Sequence, residues 1–274
     1  MPDDVAVLIT CEHGGNEVPA EHRVLFEGLE AALASHRGWD PGTLGLAGWL
    51  GGRLGAPVIA ATVTRLLVDL NRSERNPRVF SEATRPLLRA DRERLLRRYH
   101  RPHRAAVAEA IARLVTERGR VLHVGVHSFT PTLDGIVRRA DLGVLYDPAR
   151  SHERGFAAAW ARALKDALPG RIIRRNYPYR GRADGVTTTL RALHPEEVYL
   201  GIEIEVNQQH VGPEGRFPDW VGNALADSLE IALDRGPDGR EAAPGAREAV
   251  RGGWAQPPRR AGSHATTSDG GAHA

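Results

Sequence analysis

Histidine and glutamate side chains lie at the ends of three separate apolar runs in this sequence. His13 follows the run at residues 5–10, His127 follows the run at 121–126, and Glu205 lies near the end of a third run. Imidazole nitrogens and carboxylate oxygens are ligands that Zn²⁺ takes in catalytic sites, where about three protein ligands leave one position open. A further carboxylate beside such a metal can serve as general base. These residue types therefore indicate metal-dependent hydrolysis, provided that the fold brings them together.

A second group of polar residues is suited to holding a substrate. Arg65 and the run Asp69-Leu70-Asn71-Arg72 lie among apolar residues, and polar groups so placed are usually paired or functional. Arginine presents a planar fork of donors that matches a carboxylate. We interpret Asp69 as an internal partner that orients one of these arginines, rather than as a catalytic group.

The elements that must position these residues alternate between strands and helices. Apolar runs rich in β-branched residues predict strands, at residues 5–10, 57–64, 121–126, 142–146, 172–173 and 198–206. Helical spacing of apolar residues predicts helices, at 21–35, 43–54, 91–118 with an interruption at Pro102, 156–168 and 220–233. This alternation favours a three-layer α/β/α sandwich around a mixed, largely parallel sheet. Ligands of such sheets bind at the carboxyl ends of the strands, where the polar residues lie.

Composition excludes several other classes of protein. No apolar run reaches the roughly 18 residues of a membrane span, and the first residues lack the pattern of a signal peptide. One cysteine rules out an intrachain disulfide and fits a cytoplasmic location. A net charge of +3 and 5% aromatic residues argue against nucleic-acid binding. We expect a single catalytic domain at residues 1–235 and a disordered tail at 236–274, where large aliphatic residues almost vanish.

The ordered set of motifs resembles the N-formylglutamate amidohydrolase family. The motifs that carry the resemblance are Glu12-His13-Gly14-Gly15-Asn16, His36-Arg37-Gly38 with Asp40, Asp69-Leu70-Asn71-Arg72, His127-Ser128-Phe129-Thr130-Pro131, Asn176 with Pro178-Tyr179, and Glu203-Ile204-Glu205-Val206-Asn207. The resemblance implies a fold similar to that of the zinc carboxypeptidases and aspartoacylases. It covers nearly all of the chain up to residue 233.

The resemblance also implies roles for individual residues. His13 and His127 match two zinc ligands, and Arg65 matches an arginine that polarises the scissile carbonyl. Asn71, Arg72 and Tyr179 are expected to bind substrate. Glu205 is expected to be the base, with Glu203 on the same face of its strand as the alternative.

The third metal ligand stays open between Glu17 and Asp40. His13 and Glu17 are four residues apart, where the family has three, so the loop holds one extra residue. Asp40 is the rival carboxylate. Glu12 is disfavoured because consecutive residues of an extended segment point in opposite directions.

The expected activity is zinc-dependent hydrolysis of the amide of N-formyl-L-glutamate to formate and glutamate, as in histidine breakdown, or of a related N-acyl amino acid. The alternative is a non-catalytic protein with the same fold that binds anionic ligands through its arginines. A third possibility, a cysteine hydrolase with Cys11 as nucleophile, is also open. Metal content and a panel of N-acyl amino acids separate these hypotheses.

Overall fold

The computed structural model describes residues 5–235, and residues 1–4 and 236–274 lie outside the described part of the chain. The predicted tail therefore falls on residues outside this range, and the domain boundary at 235 stays a prediction. The strands are β1 (Val5–Cys11), β2 (Val58–Ala60), β3 (Arg120–Phe129), β4 (Thr132–Leu133), β5 (Ile136–Val137), β6 (Leu142–Leu145), β7 (Ile173–Arg175) and β8 (Tyr199–Asn207). The helices are α1 (Glu30–Ala34), α2 (Thr43–Leu54), α3 (Arg89–Leu95), α4 (Arg101–Arg118), α5 (Ser151–Ala167), α6 (Val186–Arg191) and α7 (Asp219–Arg235).

Six strands form one sheet, in the order β2-β1-β3-β8-β6-β7. The strands β2, β1, β3 and β8 run parallel to one another. The strand β6 is antiparallel to β8, and β7 is parallel to β6. The prediction of a mixed, largely parallel sheet is therefore confirmed.

Helices cover both faces of this sheet. Buried residues of α2, α5 and α7 form one apolar cluster with one face of β1, β3, β6 and β8. Buried residues of α4 and α6 form a second cluster against the other face. The fold is the predicted three-layer α/β/α sandwich.

The two faces of strand β8 carry different kinds of residue, apolar on one face and acidic on the other. Its alternate residues Leu200, Ile202 and Ile204 are buried in the larger apolar cluster. Glu203 and Glu205 lie on the opposite face, because successive side chains of a strand alternate. The predicted alternation of this strand is confirmed, and it aims both glutamates away from the larger core.

Two predicted elements are shorter than their apolar patterns indicate. The predicted helix at 21–35 is instead a 3₁₀ helix (Ala20–Phe26) followed by the short α1. Gly28 separates them with a φ of 79°, a left-handed conformation that ends a helix. The predicted strand at 57–64 pairs only over β2, because the chain beyond Ala60 leaves the sheet to run beside the loop that follows β1.

Two elements were missed altogether. The helix α6 contains three consecutive threonines, which have low helix propensity. The hairpin of β4 and β5 turns at Asp134-Gly135, both with positive φ. An Asp-Gly pair between apolar residues is a known hairpin signal, so the hairpin of β4 and β5 could have been predicted from the sequence.

The helix predicted at 91–118 is present, with an irregular turn near Pro102. It begins as α3, continues through a π-helical turn (Leu96–His100) and becomes α4.

Among the helices within residues 5–235, none is both long enough and apolar enough to cross a bilayer.

Candidate active site

The site lies at the carboxyl end of the parallel strands. His13 follows β1 directly, His127 lies near the end of β3, and Glu205 lies near the end of β8. His127 and Glu205 are register partners on adjacent strands, and therefore face the same side of the sheet. The sheet thus brings together three residues of which the first and the last, His13 and Glu205, are 192 positions apart in the sequence.

The loop after β1 is held by a close backbone contact. Gly14 donates its backbone N–H to the carbonyl of Ala61 at 3.0 Å. A Cβ on Gly15 would lie 2.5 Å from the carbonyl oxygen of Thr62. The two glycines therefore allow residues 61–62 to pack beside His13.

Asp40 and the two histidines form a buried cluster. The Asp40 Oδ2 atom lies 3.3 Å from His13 Nδ1 and 3.0 Å from His127 Nδ1. One ligand atom from each of the three residues lies within 4.8 Å of the others. Two imidazoles and one carboxylate are a donor set that suits zinc.

Each histidine also has an acidic neighbour at its other ring nitrogen. His13 Nε2 lies 2.8 Å from Asp69 Oδ1, and His127 Nε2 lies 3.4 Å from Glu12 Oε2. A carboxylate only accepts hydrogen bonds, so it favours a proton on Nε2. Both Nδ1 atoms face Asp40, and a metal could replace any proton on Nδ1 while Nε2 keeps its own, an arrangement common around metal-bound histidines.

The electrostatics of the cluster favour a bound cation. Burial alone would raise the pKa of Asp40, but His13, His127 and Arg65 hold that pKa well below its usual range. Burial would lower the pKa of His127, whereas Asp40, Glu12 and Glu205 raise it to about 10. The carboxylates around the histidines thus stabilise positive charge between them.

Glu205 differs from its neighbour Glu203 in its surroundings. Glu205 is buried, and its Oε2 atom has no hydrogen-bond partner within the described residues. Burial raises its pKa to about 8; the positive charge of His127 opposes the rise, and Asp40 and Glu203 add to it. Glu203 is half-buried and accepts a hydrogen bond from Thr187 at 2.8 Å. Glu205 therefore has the freer carboxyl group.

Arg65 is clamped by two carboxylates. Its Nη1 atom lies 3.4 Å from Asp40 Oδ1, and its Nη2 atom donates to Asp69 Oδ2 at 3.0 Å. Asp69 thus orients both His13 and Arg65. The prediction that Asp69 is an internal partner of an arginine agrees with these contacts.

Asn71 and Arg72 border the same cluster. The Asn71 Nδ2 atom lies 3.5 Å from His127 Nε2, and its Oδ1 atom accepts from the N–H of Val186 at 2.8 Å. Arg72 donates from Nη1 to the carbonyl of Asp184 at 2.9 Å. Its side chain keeps 30% of its surface exposed, so a ligand can reach it.

Tyr179 stands at the outer side of the site. Its hydroxyl accepts a hydrogen bond from Arg138 at 3.1 Å, and the Arg138 guanidinium lies 5.2 Å from the centre of its ring. Partial burial, and then the charge of Glu205, raise the pKa of Tyr179. The residue is 45% exposed, which leaves it open to a substrate.

Glu17 lies apart from the cluster of His13, Asp40 and His127, so the geometry favours Asp40 over Glu17 as the third ligand. It is exposed, and its Oε2 atom accepts a hydrogen bond from the hydroxyl of Thr62 at 2.7 Å. Its backbone bridges to Val63. The loop after β1 thus brings Glu17 beside residues 62–63, whereas Asp40 lies beside both histidines.

Two residues of the site were missed or set aside from the sequence. Glu12 is 1% exposed and lies between His127 and His103, 3.7 Å from His103 Nε2. Glu12 faces Nε2 of His127, the opposite ring nitrogen from the one that faces Asp40, so disfavouring it as a metal ligand agrees with the geometry, whereas its contact with His127 was not predicted. His103 comes from α4, and its place behind Glu12 depends on helix packing that no local pattern reveals.

Cys11 does not have the surroundings of a nucleophile. It is fully buried, and its sulfur donates to the hydroxyl of Thr43 at 3.3 Å. Burial raises the pKa of its thiol to about 12. Since the thiolate is the nucleophilic form, these surroundings argue against the cysteine-hydrolase hypothesis.

The chain is similar to one known protein family and to several solved structures. Residues 5–211 match the family model described as N-formylglutamate amidohydrolase. Among solved structures, the gene product Atu2144 of Agrobacterium tumefaciens is 27% identical, with a TM-score of 0.70 over 85% of this chain and 91% of that chain. An N-formylglutamate amidohydrolase from Ralstonia eutropha is 21% identical, with a TM-score of 0.60 over 85% of this chain and 95% of that chain. No curated protein matches the sequence.

Proposed function

The chain belongs to the N-formylglutamate amidohydrolase family, and we propose that it is a zinc-dependent hydrolase that cleaves N-formyl-L-glutamate to formate and glutamate. The observation that carries this proposal is the buried cluster of His13, Asp40 and His127, with Glu205 on the adjacent strand. The small-molecule substrate would be an N-acyl amino acid, with the formyl group as the acyl group that the family implies.

The residues present fit a zinc ion. The ligands would be His13, Asp40 and His127, whose donor atoms already lie within 4.8 Å of one another. Asp69 and Glu12 would hold the two rings from behind. When bound, zinc would supply Lewis-acid chemistry, polarising the amide carbonyl and lowering the pKa of a water toward about 7.

Glu205 would move the proton. Its Oε2 atom, which has no hydrogen-bond partner among the described residues, would hold a proton taken from the attacking water. The same atom would then pass that proton to the leaving nitrogen. A carboxyl group whose pKa is raised to about 8 has an affinity for protons near the working pH, which is the condition for efficient transfer.

Arg65 would stabilise the negative charge that develops on the carbonyl oxygen. Asp40 and Asp69 fix its guanidinium before any substrate arrives. Donors fixed in advance need no reorganisation during the reaction, and this is the basis of oxyanion stabilisation.

Asn71, Arg72 and Tyr179 would hold the amino-acid part of the substrate. Arg72 offers a planar fork for the α-carboxylate, and the Asn71 amide nitrogen lies 3.5 Å from Nε2 of His127 in the proposed metal cluster.

The proposal is tested by metal analysis together with a substrate panel. Purified protein is expected to hold one zinc per chain, to lose activity with a chelator, and to regain it with zinc. Across N-formyl, N-acetyl and N-succinyl amino acids, we expect the fastest amine release from N-formyl-L-glutamate. Stoichiometric zinc with a different best substrate would overturn only the substrate. Absence of both zinc and turnover would favour the non-catalytic anion-binding alternative.

A further inference from the structure

The helix that runs behind the site contains an irregular turn whose cause lies in the sequence. The backbone N–H of Arg101 bonds to the carbonyl of Leu96, five residues back, which closes the π-helical turn Leu96–His100. Pro102 follows it at the second residue of α4. Proline has no N–H to donate and its ring crowds the preceding turn, so the helix widens there. Such π turns are frequent at functional sites.

The π turn brings His100 against the substrate-binding segment. His100 is 3% exposed, and its Nε2 atom lies 2.8 Å from the backbone carbonyl of Arg72. A carbonyl only accepts hydrogen bonds, so Nε2 must carry the proton. One turn further along the helix, Arg104 Nη1 donates to the carbonyl of Leu70 at 3.4 Å. The carbonyls of the residues on both sides of Asn71 are therefore held by this helix.

The segment is also held from its other side. The Asn71 N–H donates to Asp69 Oδ1 at 3.0 Å, and the Asn71 Oδ1 atom accepts from the N–H of Val186 at the start of α6. With His100 and Arg104, these contacts hold the backbone and the Asn71 amide between two helices. The Arg72 side chain starts from this held segment and donates from Nη1 to the carbonyl of Asp184 at 2.9 Å, so the backbone contacts and the Asp184 contact together set where its fork points.

We propose that His100 is a positioning residue, whose hydrogen bond to the Arg72 carbonyl aims the Arg72 fork at the substrate carboxylate. The inference rests on the proposed function, since it assumes that Arg72 binds the carboxylate of an N-acyl amino acid. His100 itself touches neither the metal cluster nor the space before it within the described contacts.

The test compares three variants of the full chain on two substrates. His100→Leu removes the donor, while His100→Gln keeps an N–H donor near the position of Nε2. His152→Leu is the matched control, because His152 on α5 also faces a backbone carbonyl, that of Glu196 at 3.2 Å, away from the site. The substrates are N-formyl-L-glutamate and its α-carboxamide, which has no charge for Arg72 to hold.

We expect His100→Leu to raise KM for the acid about tenfold, the effect of losing one buried hydrogen bond, with kcat and zinc content unchanged. KM for the α-carboxamide should not change. His100→Gln should restore most of the affinity, and His152→Leu should behave like the wild type. If the leucine variant does not fold, His100→Asn replaces it, because its shorter amide does not reach the carbonyl.

Several results would overturn the inference. Equal losses on both substrates, a loss confined to kcat, or a glutamine variant as impaired as the leucine variant would each show a merely structural role. Unchanged kinetics in all variants of an active enzyme would remove the inference but leave the proposed function. A wild-type protein that turns over no N-acyl amino acid would remove both.

Discussion

Asp40 is the residue on which the charges of the site converge. Its Oδ2 atom lies between the two histidines, while its Oδ1 atom faces Arg65. Such a carboxylate links the metal site to the arginine that would hold the carbonyl oxygen. As the proposed third ligand, Asp40 would couple metal binding to the orientation of Arg65.

The first prediction separates Asp40 from Glu17. Asp40→Asn removes the negative ligand, and we expect zinc affinity to fall more than about 100-fold, since even groups behind the ligands are worth about 10–100-fold. Glu17→Gln should keep zinc, because the Glu17 carboxylate faces Thr62. Competition with a chromogenic chelator measures both affinities. A Glu17→Gln protein that loses its zinc would reverse the assignment.

The second prediction separates the two glutamates of β8. Glu205→Gln should lower kcat by about 10²–10⁴-fold, the usual contribution of general acid–base catalysis, with zinc and KM nearly unchanged. Glu203→Gln should stay close to the wild type, because its partner Thr187 can also bond an amide. Steady-state kinetics on both variants decides the matter. The reverse pattern would identify Glu203 as the catalytic carboxylate.

Individual residues of the site were predictable to different degrees. His13, His127 and Glu205 were accessible from the sequence because each lies at a strand end, and strand ends of a parallel sheet meet at one edge. The preference for Asp40 over Glu17 could not be predicted from the sequence, because it depends on how the loop after β1 folds against residues 61–62. The contact of Glu12 with His127 was not predicted, because both Glu12 and His13 lie beyond the last residue of β1, where the alternation of a strand no longer applies.

At the scale of elements, predictability followed the length and regularity of the apolar pattern. The helix at 43–54 and the strand β8 agree with their patterns to within a residue or two. The segment at 21–35 has the spacing of a helix but contains Gly28, and the left-handed conformation there divides it. The π turn was signalled only by Pro102, and its position relative to Arg72 arises from tertiary packing.

The third prediction concerns the strand that carries Glu205. Ile202 is fully buried in the larger apolar cluster, so Ile202→Ala should lower the free energy of unfolding by about 2–5 kcal/mol. Ile231→Ala on α7, where 44% of the residue is exposed, should cost less than about 1 kcal/mol. Urea unfolding measures both. Equal losses in the two variants would contradict the assigned burial.

At the scale of the whole chain, residues 236–274 form the fourth prediction. Val250 and Trp254 are the large apolar residues of this segment, and ordering a chain costs about 1–2 kcal/mol per residue in backbone entropy. Deleting residues 236–274 should therefore leave activity unchanged and shift Tm by less than about 2 °C, under 1 kcal/mol for a chain of this size. A drop of several degrees in a thermal melt would show that the segment packs on the rest of the chain.

The fifth prediction concerns the pH dependence of stability and rests on His123. This histidine is fully buried, with Nε2 at 2.9 Å from Thr10 Oγ1 and Nδ1 at 2.7 Å from the Tyr199 hydroxyl. Burial lowers its pKa from 6.5 to about 4; Glu12 opposes the shift, while Arg191, His127 and His103 add to it. Folded protein thus keeps His123 neutral at pH values where the unfolded chain protonates it.

The sign of the effect follows from this difference in proton uptake. Between pH 6.5 and 4 the unfolded state binds more protons at this position, so the free energy of unfolding falls as the pH falls. The contribution of His123 to that fall is about 3 kcal/mol over the window, at about 1.4 kcal/mol for each unit of pKa difference. His123→Gln does not titrate and should flatten the curve. Urea unfolding of chelated protein at several pH values from 4.5 to 7.5 measures both proteins, with the metal excluded as a variable. Parallel curves for the two proteins would mean that another group carries the acid sensitivity.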